Sequence, residues 1–308
     1  MIFPKLRKPY RVLGGMALLA GLMSAGCGQQ YVVLHPVGPV GGQELHLMEM
    51  AGLAMTVVIV GVYVLYAYAL IRFRDKPGNK APYRPDWAGN KWLEILWWVI
   101  PGVLLTIIAI PTVRVTYALD HVPKAHDPVT IDVTSLTWKW LFEYPGQHVA
   151  AVNYVEIPAG EPVIFELTAN SPMNTLWIPQ LGGMEYTMPN RVLPLWLEAD
   201  KPGMYWGSSG QYSGVGFDKM FFKVKAVPPK QFLAWADKIH STVAPMTTAN
   251  YQQLLKHNTM APKLYGAYPA DTFPSMATGF TLTGSGMYMT MHGQNGHIIY
   301  MPMTKNQP

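Results

Sequence analysis

The chain changes its hydrophobic rhythm along its length, and those changes divide it. Two long stretches carry no charge at all, Met50 to Ile71 and Ile95 to Val113. Each approaches the ~20 residues that a helix needs to cross a ~30 Å hydrocarbon core. A soluble core helix of that length and uniform apolarity is the poorer reading, so both are predicted to span a membrane. Pro101 and Pro111 are expected to kink the second span, as a packed helix bundle tolerates. From about Asp127 to Val227 the rhythm shortens to β-type runs such as VTIDVTSL, TWKWLFEY, PVIFELTA, RVLPLWLEA and MFFKVKAV, broken by Pro, Gly and Asn. Several alternate with period two, and their spacing predicts a Greek-key sandwich or barrel of about a hundred residues. Helical segments follow over Gln231–His240 and Tyr251–His257, and beyond Gly266 the chain turns rich in Gly, Thr and Met.

Composition agrees with membrane residence: of 308 residues 50% are hydrophobic and only 13% charged. The net charge of +5 hints at a polyanion partner until its distribution is read. Lys5, Arg7, Lys8 and Arg11 precede an apolar run from Val12 to about Ala25, the n-region and h-region of an export signal. Without those four charges about +1 remains, so no nucleic-acid partner is expected. Cys27, the only cysteine, follows Ser24-Ala25-Gly26, which resembles a bacterial lipoprotein processing box, although Ser24 stands where Leu is usual. Lipidation at Cys27 is expected, with residues 1–26 removed, and a lone thiol excludes an intramolecular disulfide.

The link between the spans carries Arg72, Arg74, Lys76, Lys80, Arg84 and Lys91 against only Asp75 and Asp86, whereas Gln29 to Leu47 has no Lys or Arg. The positive-inside rule therefore puts the hairpin turn in the cytoplasm and both mature ends in the periplasm. Glu94 then lies at the cytoplasmic start of the second span and Arg114 at its far end.

The second span opens Glu94-Ile95-Leu96-Trp97-Trp98-Val99-Ile100-Pro101 and closes Pro111-Thr112-Val113-Arg114-Val115-Thr116-Tyr117. With Trp138-Lys139-Trp140 in the β region, this resembles subunit II of the haem–copper oxidases over roughly residues 40 to 265. The resemblance implies a membrane α plus all-β fold: a two-helix hairpin, a periplasmic cupredoxin-like Greek-key domain and a short helical arm. The expected boundaries are 27–120 for the lipidated hairpin, 121–228 for the domain, 229–265 for the arm and 266–308 for the tail.

That family divides on copper. Its cytochrome c oxidase members hold a dinuclear centre with a His on one loop and a Cys-x3-Cys-x3-His-x2-Met run on another, since soft bridging thiolates are needed. Aligned on Met220, this chain has Ser209, Gln211, Ser213 and Phe217 where Cys, Glu, Cys and His would stand, and Asn174 where the first His would be. The copper site is expected to be absent, with no metal bound by this chain. Tyr212-Ser213-Gly214-Val215-Gly216-Phe217, Asn174 to Pro179 and the helical arm resemble the quinol-oxidizing branch. That resemblance implies a subunit without its own redox centre in a proton-pumping quinol oxidase. Haems and copper would reside in subunit I, the chain would pair with subunit I and further membrane subunits, and Glu94 would serve proton entry.

Other features read more plainly. Trp138 and Trp140, two apart on a strand, share a face and are expected to pack. His46, His121, His126 and His148 show no ligand spacing. The tail's Met287, Met289, Met291, His292, His297, Met301 and Met303 are thioether-rich enough to suggest Cu(I), but strand alternation and adaptable packing explain them as well. The rival function is a free-standing cupredoxin-like lipoprotein for copper handling or oxidase assembly; a mere anchor, however, has no use for two passes or a boundary glutamate.

Overall fold

Helix α1 spans Pro39–Arg72 and α2 spans Lys91–Leu119 in the computed structural model. The structure describes residues 31–82, 86, 89–122, 128–270 and 272–273, and the backbone of 279–283, 286–292 and 298–302. The export signal, Cys27 and His126 lie outside the described residues, as do the side chains of the Met-rich tail. Pro39 stands in the first turn of α1, where its missing N–H costs nothing. Asn90 caps α2, its Oδ1 accepting from Trp92 N at 2.9 Å. Helix α2 runs unbroken through Pro101 and Pro111. The hydroxyls of Thr106, Thr112 and Thr116 bond back to the carbonyls of Gly102, Ile108 and Thr112, so these hydroxyls do not face the apolar surround unpaired.

At 34 residues α1 is about 51 Å long, well beyond a ~30 Å hydrocarbon core. Its N-terminal third must stand clear of the membrane, and there it enters the β domain. Val37 N donates to Gln180 O at 2.7 Å, Gly41 N to Leu181 O at 2.9 Å, and Asp200 N to Val37 O at 2.8 Å, around a buried Val40. The end of α2 is tied to the same domain by Trp196 Nε1, which donates to Leu119 O at 2.6 Å. Both ends of the hairpin therefore lie on the domain's side, and the charged link lies opposite. Elsewhere the helices expose Leu65, Ile71, Trp98 and Leu105, a surface that needs lipid or partner helices.

The domain stacks two sheets. One runs in the order β11 (Lys263–Tyr265), β3 (Val149–Val152), β2 (Lys139–Tyr144), β1 (Val129–Leu136), β5 (Val163–Ala169), β8 (Leu193–Leu197). The other runs β4 (Tyr154–Pro158), β10 (Phe221–Val227), β9 (Gly203–Ser209), β6 (Asn174–Trp177), β7 (Met184–Thr187). The β1–β5 and β4–β10 pairs are parallel and the rest antiparallel, the mark of Greek-key crossings between sheets. The core between them joins Ile131, Val133, Trp140 and Phe142 to Val155, Leu176, Phe222 and Val224. Phe222 lies 5.7 Å from Trp140 and 5.1 Å from Phe142 between ring centres. It also covers Gly207, where a Cβ would fall 2.0 Å from its ring, so no larger residue fits that strand position.

A second core lies on the outer face of the first sheet. Leu136, Leu141, Ala150 and Val152 pack there under Met246, Leu254 and Tyr265. Helix α3 (Pro229–Thr242) packs Phe232 and Ile239 against the sandwich core, and α4 (Thr248–Leu254) and β11 carry the cover. Trp235 of α3 sits 5.4 Å from the Tyr144 ring and 6.4 Å from that of Tyr154. Asn250 closes a capping box with Thr247 at the start of α4. The arm is thus not purely helical: it ends by adding β11 to the edge of β3. Farther on, β12 (Gly279–Thr283), β13 (Gly286–His292) and β14 (Ile298–Pro302) form an antiparallel three-stranded sheet.

Candidate functional site

The positions that align with copper ligands fall on two segments joined through β6 and β9. Pairing of Leu176 with Ser209 brings the start of β6 against the end of β9. Asn174 is fully buried there. Its Nδ2 donates to Ser135 Oγ at 2.7 Å and to Pro172 O at 3.2 Å, and its Oδ1 lies 3.0 Å from Ser209 Oγ. Ser209 Oγ also lies 3.1 Å from Gln211 O and accepts from Gln211 N at 3.4 Å. Ser171 Oγ closes the ring by donating to Ser135 O at 3.1 Å. Two residues that alignment alone assigned to one site, 35 positions apart, bond to each other.

The rest of the loop is held by aromatic packing. Trp138 is not on β2 beside Trp140, as strand alternation suggested. It occupies the β1–β2 turn with φ of +62°, so the two indoles part: Trp140 enters the sandwich core and Trp138 backs the 210–220 loop. Trp138 Nε1 donates to Ser213 O at 3.1 Å. A Cβ at Gly216 would fall 2.4 Å from the Trp138 ring, which explains a glycine at that position. The ring of Phe217 lies edge-on to that of Tyr212 at 5.7 Å, and Met220 is buried in the sandwich core. Tyr212 and Val215 point outward, 73% and 88% exposed.

This donor set does not suit copper. The Asn174 amide nitrogen carries hydrogens that are already donated, and the Ser209 hydroxyl is engaged. Phe217 offers no lone pair, and no thiolate is present in the set. Among the described residues no group of three or more His, Cys, Asp or Glu is arranged to hold a metal ion. What the loops can do is pack and present Tyr212 and Val215 to a partner surface.

Glu94 is exposed in the first turn of α2, where a carboxylate complements the helix dipole. Its Oε1 folds back over Gly89, 3.1 Å from where a Cβ there would stand. Among the described residues no ion pair within 4 Å joins it to Lys91.

Residues 39–115 match the family profile described as cytochrome c oxidase subunit II, transmembrane domain. Quinol oxidase subunit 2 of Bacillus cereus is 39% identical, over 86% of this chain and 92% of that one. The chain belongs to the quinol oxidase subunit 2 family. Cytochrome bo(3) ubiquinol oxidase subunit 2 of Pseudomonas aeruginosa is 34% identical, over 83% of this chain and 78% of that one. Ubiquinol oxidase subunit 2 of Acetobacter aceti is 34% identical over 79% of each chain. Among solved structures, the periplasmic domain of subunit II of cytochrome oxidase from Bradyrhizobium japonicum is similar over 38% of this chain and 96% of that one, at 22% identity and a TM-score of 0.36, too loose a likeness to argue from. Membership of the quinol oxidase subunit 2 family, with two helices long and apolar enough to cross a membrane, points to an inner-membrane protein with a periplasmic domain.

A second group of buried ionisable residues lies away from these loops. Asp132, Glu143 and Glu166 face outward on β1, β2 and β5, beneath the C-terminal segment. Lys139, on the same face as Glu143, is fully buried and donates to Leu254 O at 2.9 Å and Lys256 O at 2.8 Å, capping the end of α4 with positive charge. The signal available was only that charged residues occupy alternate positions of β2, which reads equally as a strand with one wet face.

Proposed function

We propose that this chain is subunit 2 of a proton-pumping terminal oxidase that passes electrons from membrane quinol to oxygen, and that it acts without a redox centre of its own. The observation that carries this is the saturated Asn174–Ser209 contact in a chain 34–40% identical to quinol oxidase subunits 2 over about four-fifths of its length or more. The Asn174 and Ser209 side chains now satisfy each other, which supports loops that keep their shape with no metal. Haems, the remaining copper and the quinol chemistry belong in this reading to subunit I. The clamps at Val37–Gly41 and Leu119 support a bracing role, because they fix the domain against both membrane helices. Glu94 is assigned to proton entry on the cytoplasmic side, as its exposed place beside the charged link supports.

The test is purification of the tagged full-length chain in mild detergent. The expected preparation carries haem in fixed ratio to the chain, oxidizes quinol with oxygen uptake, and loses both in a strain lacking the chain. A chain that purifies without haem-bearing subunits, or carries stoichiometric copper itself, would overturn the reading. Cys27 is assigned as the lipidated first residue of the mature chain, supported by the small residues that follow the apolar run. Two helices already anchor the protein, so the lipid would position rather than attach it. Cys27→Ser should abolish fatty-acid labelling while oxidase activity persists; labelling that survives the change would refute the assignment.

A further inference from the structure

Three carboxyl groups stand in a row on the outer face of the first sheet. Cross-strand pairing sets Asp132 opposite Glu143 on one side and opposite Glu166 on the other. Side chains at paired positions leave the same face of a sheet, and like charges directly opposed there repel. Glu143 has no exposed surface and Glu166 almost none. What covers Glu143 is the chain's own C-terminal segment. Thr272 Oγ1 donates to Glu143 Oε1, and the Tyr251 hydroxyl donates to Thr272 O at 3.2 Å. Glu143 Oε2 is buried with no hydrogen-bond partner among the described residues. An ionised oxygen in that position is heavily penalised, and a proton is the smallest ligand that relieves it.

We propose that this row is a proton-operated latch: residues 244–270, with Thr272, lie down on the sheet while the carboxyls hold protons and lift when they release them. Burial raises Asp132 to about 7. Burial raises Glu143 to about 8, with the Thr272 bond opposing and the Asp132 charge adding. Burial, then Asp132, raises Glu166 to about 8. All three values in the docked state exceed those of ordinary carboxylates, so the docked state binds more protons than the lifted one. Docking is therefore strongest below about pH 4 and weakens as pH climbs through about 8.

The other groups facing the row do not reverse this. Tyr251 and Tyr268 are both shifted upward, by burial first, and stay neutral throughout. Lys139 on β2 is lowered to about 8 by burial, so its titration, opposite in sign, begins near the top of the window and offsets only part of what three carboxyls lose by about pH 8.5. Lifting would also part His257 from Trp138, now 6.5 Å apart, and Trp138 braces the loop around Ser213 and Gly216. A change of acidity on the periplasmic side would thus reach the former copper loops. Only the choice of compartment rests on the oxidase reading; the latch itself does not.

Hydrogen exchange on the full-length chain in detergent tests it without any activity assay. Exchange is corrected for the intrinsic effect of pH and compared at about pH 5.5 and about pH 8.5. Amides of Thr248–Leu254 and Lys263–Tyr265 should lose protection by about tenfold or more at the higher pH, the effect of at least one unit of pKa difference. Amides of β1 and β5 should hold theirs. The double variant Asp132→Asn, Glu143→Gln should keep the segment protected at both values. If that variant does not fold, Glu166→Gln is read in its place and should show a smaller loss. Flat protection in the wild type, a loss shared by β1 and β5, or a variant that loses protection as the wild type does would each overturn the latch.

Discussion

The loops at the end of β9 and the outer face of β2 both bury polar side chains in one small domain, and they meet the cost in opposite ways. Around Asn174 every group is neutral, and the Asn174 amide is matched on both sides: Ser135, Ser171, Ser209 and three backbone carbonyls close a ring. Around Glu143 the groups are ionisable, and one carboxyl oxygen is left with no donor among the described residues. Desolvation penalises an ion far more than an amide, so the second arrangement depends on protons where the first does not. Loops whose buried polar side chains satisfy each other hold their shape without a ligand. A carboxyl row under a movable cover cannot be indifferent to its surroundings.

The largest expected effect reverses the first arrangement. Replacing Asn174→His, Ser209→Cys, Ser213→Cys and Phe217→His together supplies two thiolates and two imidazoles on loops already in contact. Met220 is in place in sequence but buried in the sandwich core, so it would have to turn outward to ligate. The isolated periplasmic domain should then bind copper and turn purple, as read by visible absorption and metal analysis. A colourless product free of copper would mean that these loops no longer keep the spacing the alignment implies.

Next in size is the cost of breaking the ring without replacing it. Asn174→Leu leaves the Ser135 and Ser209 hydroxyls short of a partner in a fully buried place. Each unsatisfied group costs ~1–3 kcal/mol, so a loss of about 2–4 kcal/mol is expected in denaturant unfolding of the domain. The loss should be equal at about pH 5 and about pH 8, because nothing in the ring titrates there. A loss that grows with pH would show that the two regions are coupled more tightly than Trp138 and His257 imply.

The same contrast marks what could be read from sequence. Asn174 and Ser209 could be paired in advance because they sit at fixed offsets from Met220 within a known pattern, and the two spans were legible from the absence of charge. Asp132, Glu143 and Lys139 were not. Period two on β1 and β2 is the same for a wet face and for one roofed by residues a hundred positions later, and the roof is a long-range contact. Trp138 was misplaced for a related reason. A bulky residue at φ of +62° is rare, and only its packing against Gly216 and the Ser213 carbonyl makes that conformation affordable.

Glu94 carries the comparison to the far end of the helical hairpin, where a carboxylate is kept at the surface instead of under a roof. Its neighbours leave two roles open to measurement. A structural role follows from the first turn of α2, where negative charge complements the helix dipole, an effect of ~0.3–1 kcal/mol. A role in proton entry follows from exposure beside the cationic link, with the side chain folded over Gly89 and not paired to Lys91 within 4 Å. The structural role belongs to charge alone and shows in stability. The entry role belongs to proton exchange and shows in rate. Glu94→Gln removes both, and Glu94→Asp keeps a titrating group at the same turn. In the intact oxidase with unchanged haem content, Glu94→Gln should slow turnover about fivefold, equivalent to ~1 kcal/mol in the barrier. Glu94→Asp should restore most of the rate, and Lys91→Ala should leave it alone. Turnover and proton pumping at wild-type levels in Glu94→Gln would reduce the residue to a helix cap.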